Sequence, residues 1–150
     1  MTTTTGAQPG EDAYEYEIDT DPDRVDIDLV HHWLSTDAYW AIGRSRDLVE
    51  RALRGSLNFG VYDGEGTQVA YARVVTDHAT FAWLCDVYMD PAHRGRGLGV
   101  RLATAVRDHL APYELKRTLL ATLDAHELYG KVGFVPVSDP EQLMVLRPTT

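Results

Sequence analysis

An apolar run, Phe81 to Met89, stops at Asp90-Pro91 and leads through Ala92-His93 into Arg94-Gly95-Arg96-Gly97-Leu98-Gly99. From there Leu98, Leu102, Ala105, Val106 and Leu110 recur at helical spacing. The proline ends the strand, so the chain must build a strand, a glycine-rich turn and a helix in succession. The first N–H groups of such a helix lack intrahelical partners, and its dipole is positive at that end. Glycines let an anion approach that backbone, so a phosphate-bearing ligand fits the turn.

Arg94 and Arg96 add fixed positive charge that can donate several hydrogen bonds to phosphate oxygens. A nucleotide-hydrolysing P-loop requires Gly-Lys followed by Ser or Thr, and that sequence is missing. A dinucleotide fingerprint begun at Gly95 requires a glycine where Val100 stands, which weakens that reading. Taken alone, a glycine turn ahead of a helix is as often structural as functional.

The rest of the chain supplies a sheet around this unit. Residues 1 to 12 have no apolar periodicity and are expected to form a disordered tail, leaving 13 to 150 as a single domain. Alternation from Tyr14 to Ile18 predicts a first strand, and Asp26 to Leu34 and Ser45 to Leu53 predict helices. Leu48, Ala52 and Leu53 should form the apolar stripe of the second helix. Strands are expected at Leu57 to Tyr62 and Gln68 to Thr76, joined by Asp63-Gly64-Glu65-Gly66, and again at Phe81 to Met89. Beyond Pro112, a strand at Thr118 to Ala121, a helix at Ala125 to Val132, and closing strands at Phe134 to Val137 and Leu143 to Leu146 complete the order. This is an α+β pattern, a mostly antiparallel sheet flanked by helices.

Composition narrows the function. Lys and Arg number 14 against 23 Asp and Glu, a balance that argues against nucleic acid or an anionic membrane as the main partner. Cys85 is the sole cysteine, so neither an internal disulfide nor a paired-cysteine zinc site is available. His31 and His32 point different ways on a helix, and His126-Glu127 lacks a second zinc-ligating histidine, so no metal is expected. The amino terminus has no signal-peptide pattern, and a cytoplasmic location is expected.

The segment from Asp86 through Tyr88, Met89, Asp90-Pro91 and Arg94 to Gly99 resembles the strand and R/Q-x-x-G-x-G/A loop of the GNAT superfamily of acetyl-CoA-dependent N-acetyltransferases. Leu128-Tyr129-Gly130-Lys131-Val132-Gly133-Phe134 is similar to that superfamily's "LYxKxGF" segment, in the expected order downstream. The likeness spans residues 14 to 147. Where many members carry an asparagine seven residues before the tyrosine, this chain has Thr122, so no contact by that asparagine carries over.

The resemblance implies a mixed sheet splayed beside the loop, acetyl-CoA as cosubstrate, and a primary amine of a small molecule or peptide as acceptor by direct attack. The loop residues Arg94, Gly95, Arg96, Gly97, Leu98 and Gly99 would hold the pyrophosphate, and the backbone of Tyr88 and Met89 the pantetheine. A backbone N–H near Tyr88 would stabilise negative charge developing on the acyl oxygen. Tyr129 would protonate the departing thiolate, and Asp86 is the acidic candidate for taking up the amine's proton. Asp86 shares strand parity with Leu84 and Tyr88, so it faces either the acceptor cleft or a structural partner. His126, near the face of Tyr129, reads more readily as a surface or capping residue. Trp33, Tyr39 and Trp40 serve as pocket lining or as core. An Arg73 guanidinium in the cleft would favour a substrate carboxylate. A non-catalytic acyl-CoA-binding module is the alternative reading, and monomer and homodimer both stay open.

Overall fold

The computed structural model describes residues 15–148. The expected tail, residues 1 to 12, and the start of the first expected strand lie outside them. The elements are β1 (Glu17–Asp19), α1 (Ile27–Asp37), α2 (Arg46–Arg54), β2 (Leu57–Tyr62), β3 (Gln68–Thr76), β4 (Phe81–Met89), α3 (Leu98–Leu110), β5 (Arg117–Leu119) and α4 (His126–Gly130). The strands form one sheet in chain order, antiparallel from β1 to β4 and parallel between β4 and β5. Two side chains cap these helices: Asp26 and Ser45 accept the N–H groups of Leu29 and Leu48.

The sheet is covered on both faces. Phe59, Val61, Ala72, Val74 and Leu84 pack with Leu98, Leu102, Val106 and Leu110 of α3. Tyr71 and Tyr88 pack instead with Val30, Trp33 and Leu34 of α1 and with Val49 and Leu53 of α2. The stripe of α2 therefore runs through Val49 and Leu53; Leu48, expected in it, is exposed. A Leu at the third helical position follows the N-cap by three residues and falls on the solvent side of this docking, one residue out of register with the buried stripe.

The carboxyl-terminal expectation is corrected. Phe134 to Val137 and Leu143 to Leu146 form no strands, and Val135, Met144 and Leu146 are almost fully exposed. Apolar composition makes a strand only where a partner edge is available. Pro136 lacks a donor, Asp139-Pro140 opens a short 3-10 turn, and β5 is only three residues long.

A bulge decides which way β4 faces. Arg73 is paired with Cys85 and Tyr71 with Tyr88, so Ala72 opposes both Asp86 and Val87. Asp86 takes the left-handed conformation, φ 51°, which Asp tolerates better than most side chains. The parity argument from sequence fails here: Leu84 lies on the α3 face and Tyr88 on the α1 face, because the extra residue reverses the alternation between them. Asp86 itself is buried and receives three donors. Trp40 Nε1 reaches Oδ1 at 2.8 Å, while Arg44 Nη1 and Arg73 Nε reach Oδ2 at 2.8 and 2.9 Å.

Burial pushes the Asp86 carboxyl up, but Arg73, Arg44 and Trp40 outweigh it and hold it below the usual carboxylate range. Asp86→Asn should therefore leave poorly compensated guanidinium charge and cost about 3 kcal/mol in urea denaturation at pH 7. A group with a lowered folded-state pKa is protonated first in the unfolded chain. Its contribution is whole above the unfolded value of about 3.9 and fades as pH falls towards the folded value. The wild-type protein should lose this increment below about pH 4, and the Asn variant should lack that part of the acid limb.

Candidate active site

The parallel pairing of β4 with β5 extends only from Phe81 opposite Arg117 to Trp83 opposite Leu119. Past that point Leu120 and Ala121 leave the sheet, and β4 continues to Met89 against β3 alone. A strand released on one edge presents unpaired backbone groups at regular spacing. Between the parted strands lies a cleft of about 390 Å³, walled by Leu84 to Val87 and Met89 on one side and by Leu120, Ala121, Leu128 and Tyr129 on the other. Sequence reasoning expected this splay, and the last two residues of its strand, Leu120 and Ala121, became cleft wall.

One end of the cleft is closed by the loop between α1 and α2. The Tyr39 hydroxyl accepts the backbone N–H of Leu123 at 3.2 Å, and the Trp40 indole bonds to Asp86. Both rings remain about half exposed and line the cleft. Trp33, by contrast, is core: it is buried and stacks on Tyr88 with ring centroids 5.3 Å apart. Arg44, which sequence reasoning passed over, joins Arg73 on the cleft wall. It stands in a short loop without periodicity, and its partner is 42 residues away, so no local pattern marks it.

The glycine turn meets the cleft wall at Met89 and Leu128, against which Gly99 packs. Gly95 and Gly97 have φ values of 81° and 74°, and a Cβ on either would meet nothing within 4 Å. Both glycines are thus required by the backbone, and the space above them is open to a ligand. Gly97 caps α3 with no side-chain hydrogen bond, so the cap residue of this 13-residue helix offers no side-chain acceptor to the first N–H groups. Gly99 differs: a Cβ there would sit 2.7 Å from Leu128 Cδ1 and 3.1 Å from Met89 Cε, so its role is to let α3 approach α4 and β4 closely. Leu98 buries its side chain under the turn and offers only its backbone.

The two loop arginines point differently. Arg94 donates from Nε to the Met89 carbonyl at 3.0 Å, lies over the Tyr88 ring and approaches Asp37 at 3.5 Å. Arg96 donates to the Tyr16 hydroxyl at 3.1 Å, which in turn meets His93 Nδ1 at 2.6 Å. The Tyr88 side chain turns away from the cleft into the α1 core and donates to Asp37 Oδ2 at 2.5 Å. Tyr88 therefore contributes its backbone, and not its ring, to this end of β4.

Tyr129 and Asp86 are brought to the same cleft. Burial, with Tyr39 and Asp124 nearby, pushes the Tyr129 phenol up to about 12, so it is neutral and holds its proton at ordinary pH. Its ring meets Phe134 edge-on at 5.8 Å. Burial likewise pushes the Cys85 thiol, also on the lining, up to about 11. His126 is exposed and is not among the lining residues. Among the described residues no cluster of three His, Cys, Asp or Glu side chains is arranged for a metal, and no helix is long and apolar enough to cross a membrane.

Known proteins share this arrangement. The family model described as Acetyltransferase (GNAT) family matches residues 27–134. A protein of Gibberella zeae bearing the provisional name of an acetyltransferase is 33% identical over 136 residues, covering 78% of this chain and 77% of its own. A crystal structure from Xanthomonas campestris pv. campestris, provisionally described as a GNAT-family acetyltransferase, superposes with a TM-score of 0.84 at 45% identity, covering 89% and 93% of the two chains. Spermidine N-acetyltransferase from Vibrio cholerae, solved with CoA and spermine, gives 0.66 at 19% identity over 81% and 82%, a likeness of fold. With the parted strands, the open glycine turn and these relatives in agreement, the chain belongs to the acetyltransferase (GNAT) family and is an acetyl-transferring enzyme.

Proposed function

We propose that the protein transfers an acetyl group from acetyl-CoA to the primary amine of a small molecule or peptide, by direct attack within the cleft. The observation that carries this reading is the parting of β4 and β5 beside an uncapped, glycine-lined helix start. Gly95, Gly97 and the first N–H groups of α3 would hold the pyrophosphate, with charge support from Arg96. Arg94 is engaged with Met89, Tyr88 and Asp37, and we assign it to bracing the end of β4. The free edge of β4 through Tyr88 and Met89 would receive the amide-bearing arm of the donor.

Bound acetyl-CoA supplies an acetyl group activated as a thioester. Tyr129 holds a proton on its hydroxyl in the cleft, where a leaving thiolate needs one. The Cys85 thiol, kept protonated by burial, is a poor nucleophile, which favours direct attack over an enzyme-bound acyl group. Asp86, the carboxylate first considered as proton acceptor, already receives three donors and has a lowered pKa, so it is a weak base at neutral pH. We assign it the positioning of Arg44, Arg73 and Trp40 instead.

Two substitutions test the reading. Gly97→Glu puts a side chain into a left-handed position and a negative charge at the helix start, and should weaken acetyl-CoA binding in calorimetry by about 100-fold or more. Wild-type protein that binds no acetyl-CoA would sink the proposal. Tyr129→Phe should lower kcat by about 100-fold with little change in KM for acetyl-CoA, measured by thiol release. With the phenol at about 12, wild-type kcat should show no alkaline loss from this group through pH 10; unchanged kcat in the Phe variant would remove Tyr129 from the chemistry.

A further inference from the structure

Arg44 and Arg73 both line the cleft, yet they share one carboxylate and one of its oxygens, Asp86 Oδ2. The other oxygen is taken by Trp40. Two guanidinium groups, charged at any accessible pH, thus face a single negative charge and leave one positive charge over. Arg44 uses only Nη1 in this pairing, and Arg73 uses Nε on Asp86 and Nη1 on Ser56 Oγ. The other guanidinium N–H groups have no partner among the described residues.

Those donors are not sealed in the core. Among the described residues the only buried side-chain nitrogen or oxygen without a hydrogen bond is the Tyr62 hydroxyl, so the spare nitrogens of Arg44 and Arg73 reach accessible space. Both side chains are nevertheless mostly buried, 19% and 17% exposed, which limits solvent screening of their charge. A surplus guanidinium in a recess walled largely by apolar side chains is suited to a planar anion with two acceptors. It repels an acceptor that carries only positive charge. The one further carboxylate on the lining, Asp124, comes from the segment after β5 and is available to the acceptor's ammonium.

We propose that the acceptor is a small amino acid-like molecule, amine and carboxylate together, whose carboxylate is bound by Arg44 and Arg73. Tyr39, Trp40 and Trp83 on the lining fit an acceptor with an apolar or aromatic side chain. This inference rests on the acetyl-transfer reading and narrows it to a substrate class.

The test compares amino acids with apolar side chains against their own carboxamides, which keep the amine and side chain and lose the charge. Thiol release from acetyl-CoA should show kcat/KM at least about tenfold higher for the acids in the wild-type enzyme. In Arg44→Gln, which leaves Asp86 paired with Arg73 and Trp40, that preference should fall towards one while acetyl-CoA affinity by calorimetry is kept. A readout without donor chemistry accompanies it: the N-acetylated acids should perturb the fluorescence of cleft tryptophans at lower concentration than the N-acetylated carboxamides. Equal use of acids and amides, preference for amides, or a preference that survives in both Arg44→Gln and Arg73→Lys overturns the proposal and leaves acetyl transfer standing. Loss of acetyl-CoA binding in the wild type instead overturns the underlying reading, and this proposal with it.

Discussion

The carboxylate of Asp86 is the point on which both faces of the sheet depend. It sits at the extra residue of a strand, in a left-handed backbone conformation that costs free energy, and in a buried place where an unpaired charge is strongly disfavoured. What offsets both costs is the set of donors that converge on it: one from the facing strand β3 and two from the loop between α1 and α2. Since a buried ion pair is stabilising only when its geometry and remaining hydrogen bonds are good, the donor from Trp40 to the second oxygen completes what the two arginines begin. The bulge in turn sends Tyr88 towards α1 while Val87 and Met89 pack towards α3. One polar contact therefore fixes the loop that closes the cleft and the direction of the strand that walls it.

The part of this visible in the sequence is the part that is local. The strand ends at Leu57, Tyr62, Gln68, Thr76, Phe81 and Met89, and the whole of α3, follow from apolar runs bounded by glycine, proline and caps. The glycine turn was legible as the start of a helix with open backbone N–H groups because helix termini behave alike wherever they occur. The bulge was not legible. An aspartate in an apolar strand reads equally as an inward base or a structural partner, and nothing nearby announces an extra residue in the register. Arg44 was invisible for a related reason: its role exists only once residues 42 apart in sequence are brought together. The carboxyl-terminal segment erred the other way, since Val135, Leu143 and Leu146 have strand composition but meet no strand edge.

The three glycines of the turn show how one motif divides into separate physical demands. Gly95 and Gly97 are set by backbone dihedrals and open onto empty space, whereas Gly99 has ordinary dihedrals and is set by the nearness of Leu128 and Met89. Leu128 precedes Tyr129 on the short helix α4, so Gly99 governs how closely the helix carrying the phenol approaches the strand carrying the cleft backbone. The same short stretch of chain thereby sets the open helix start at one end and the spacing of the two cleft walls at the other. The arginines divide likewise, Arg94 bracing β4 and Arg96 turned towards β1 through Tyr16.

Stability and acceptor choice are joined at Asp86, and this limits where acceptor choice can change. Altering Asp86 or Arg73 disturbs the bulge, because both sit on paired strands and the ion pair holds the register between them. Arg44, Tyr39 and Trp40 lie in a loop outside the sheet and line the cleft. Substitutions there alter the charge and shape presented to an acceptor without removing a residue of the paired strands, although Trp40 and Arg44 also supply two of the donors on Asp86. The separation falls between β3 and β4, which hold Arg73 and Asp86 in the paired register, and the loop from Ala38 to Ser45, which brings Tyr39, Trp40 and Arg44 to the cleft.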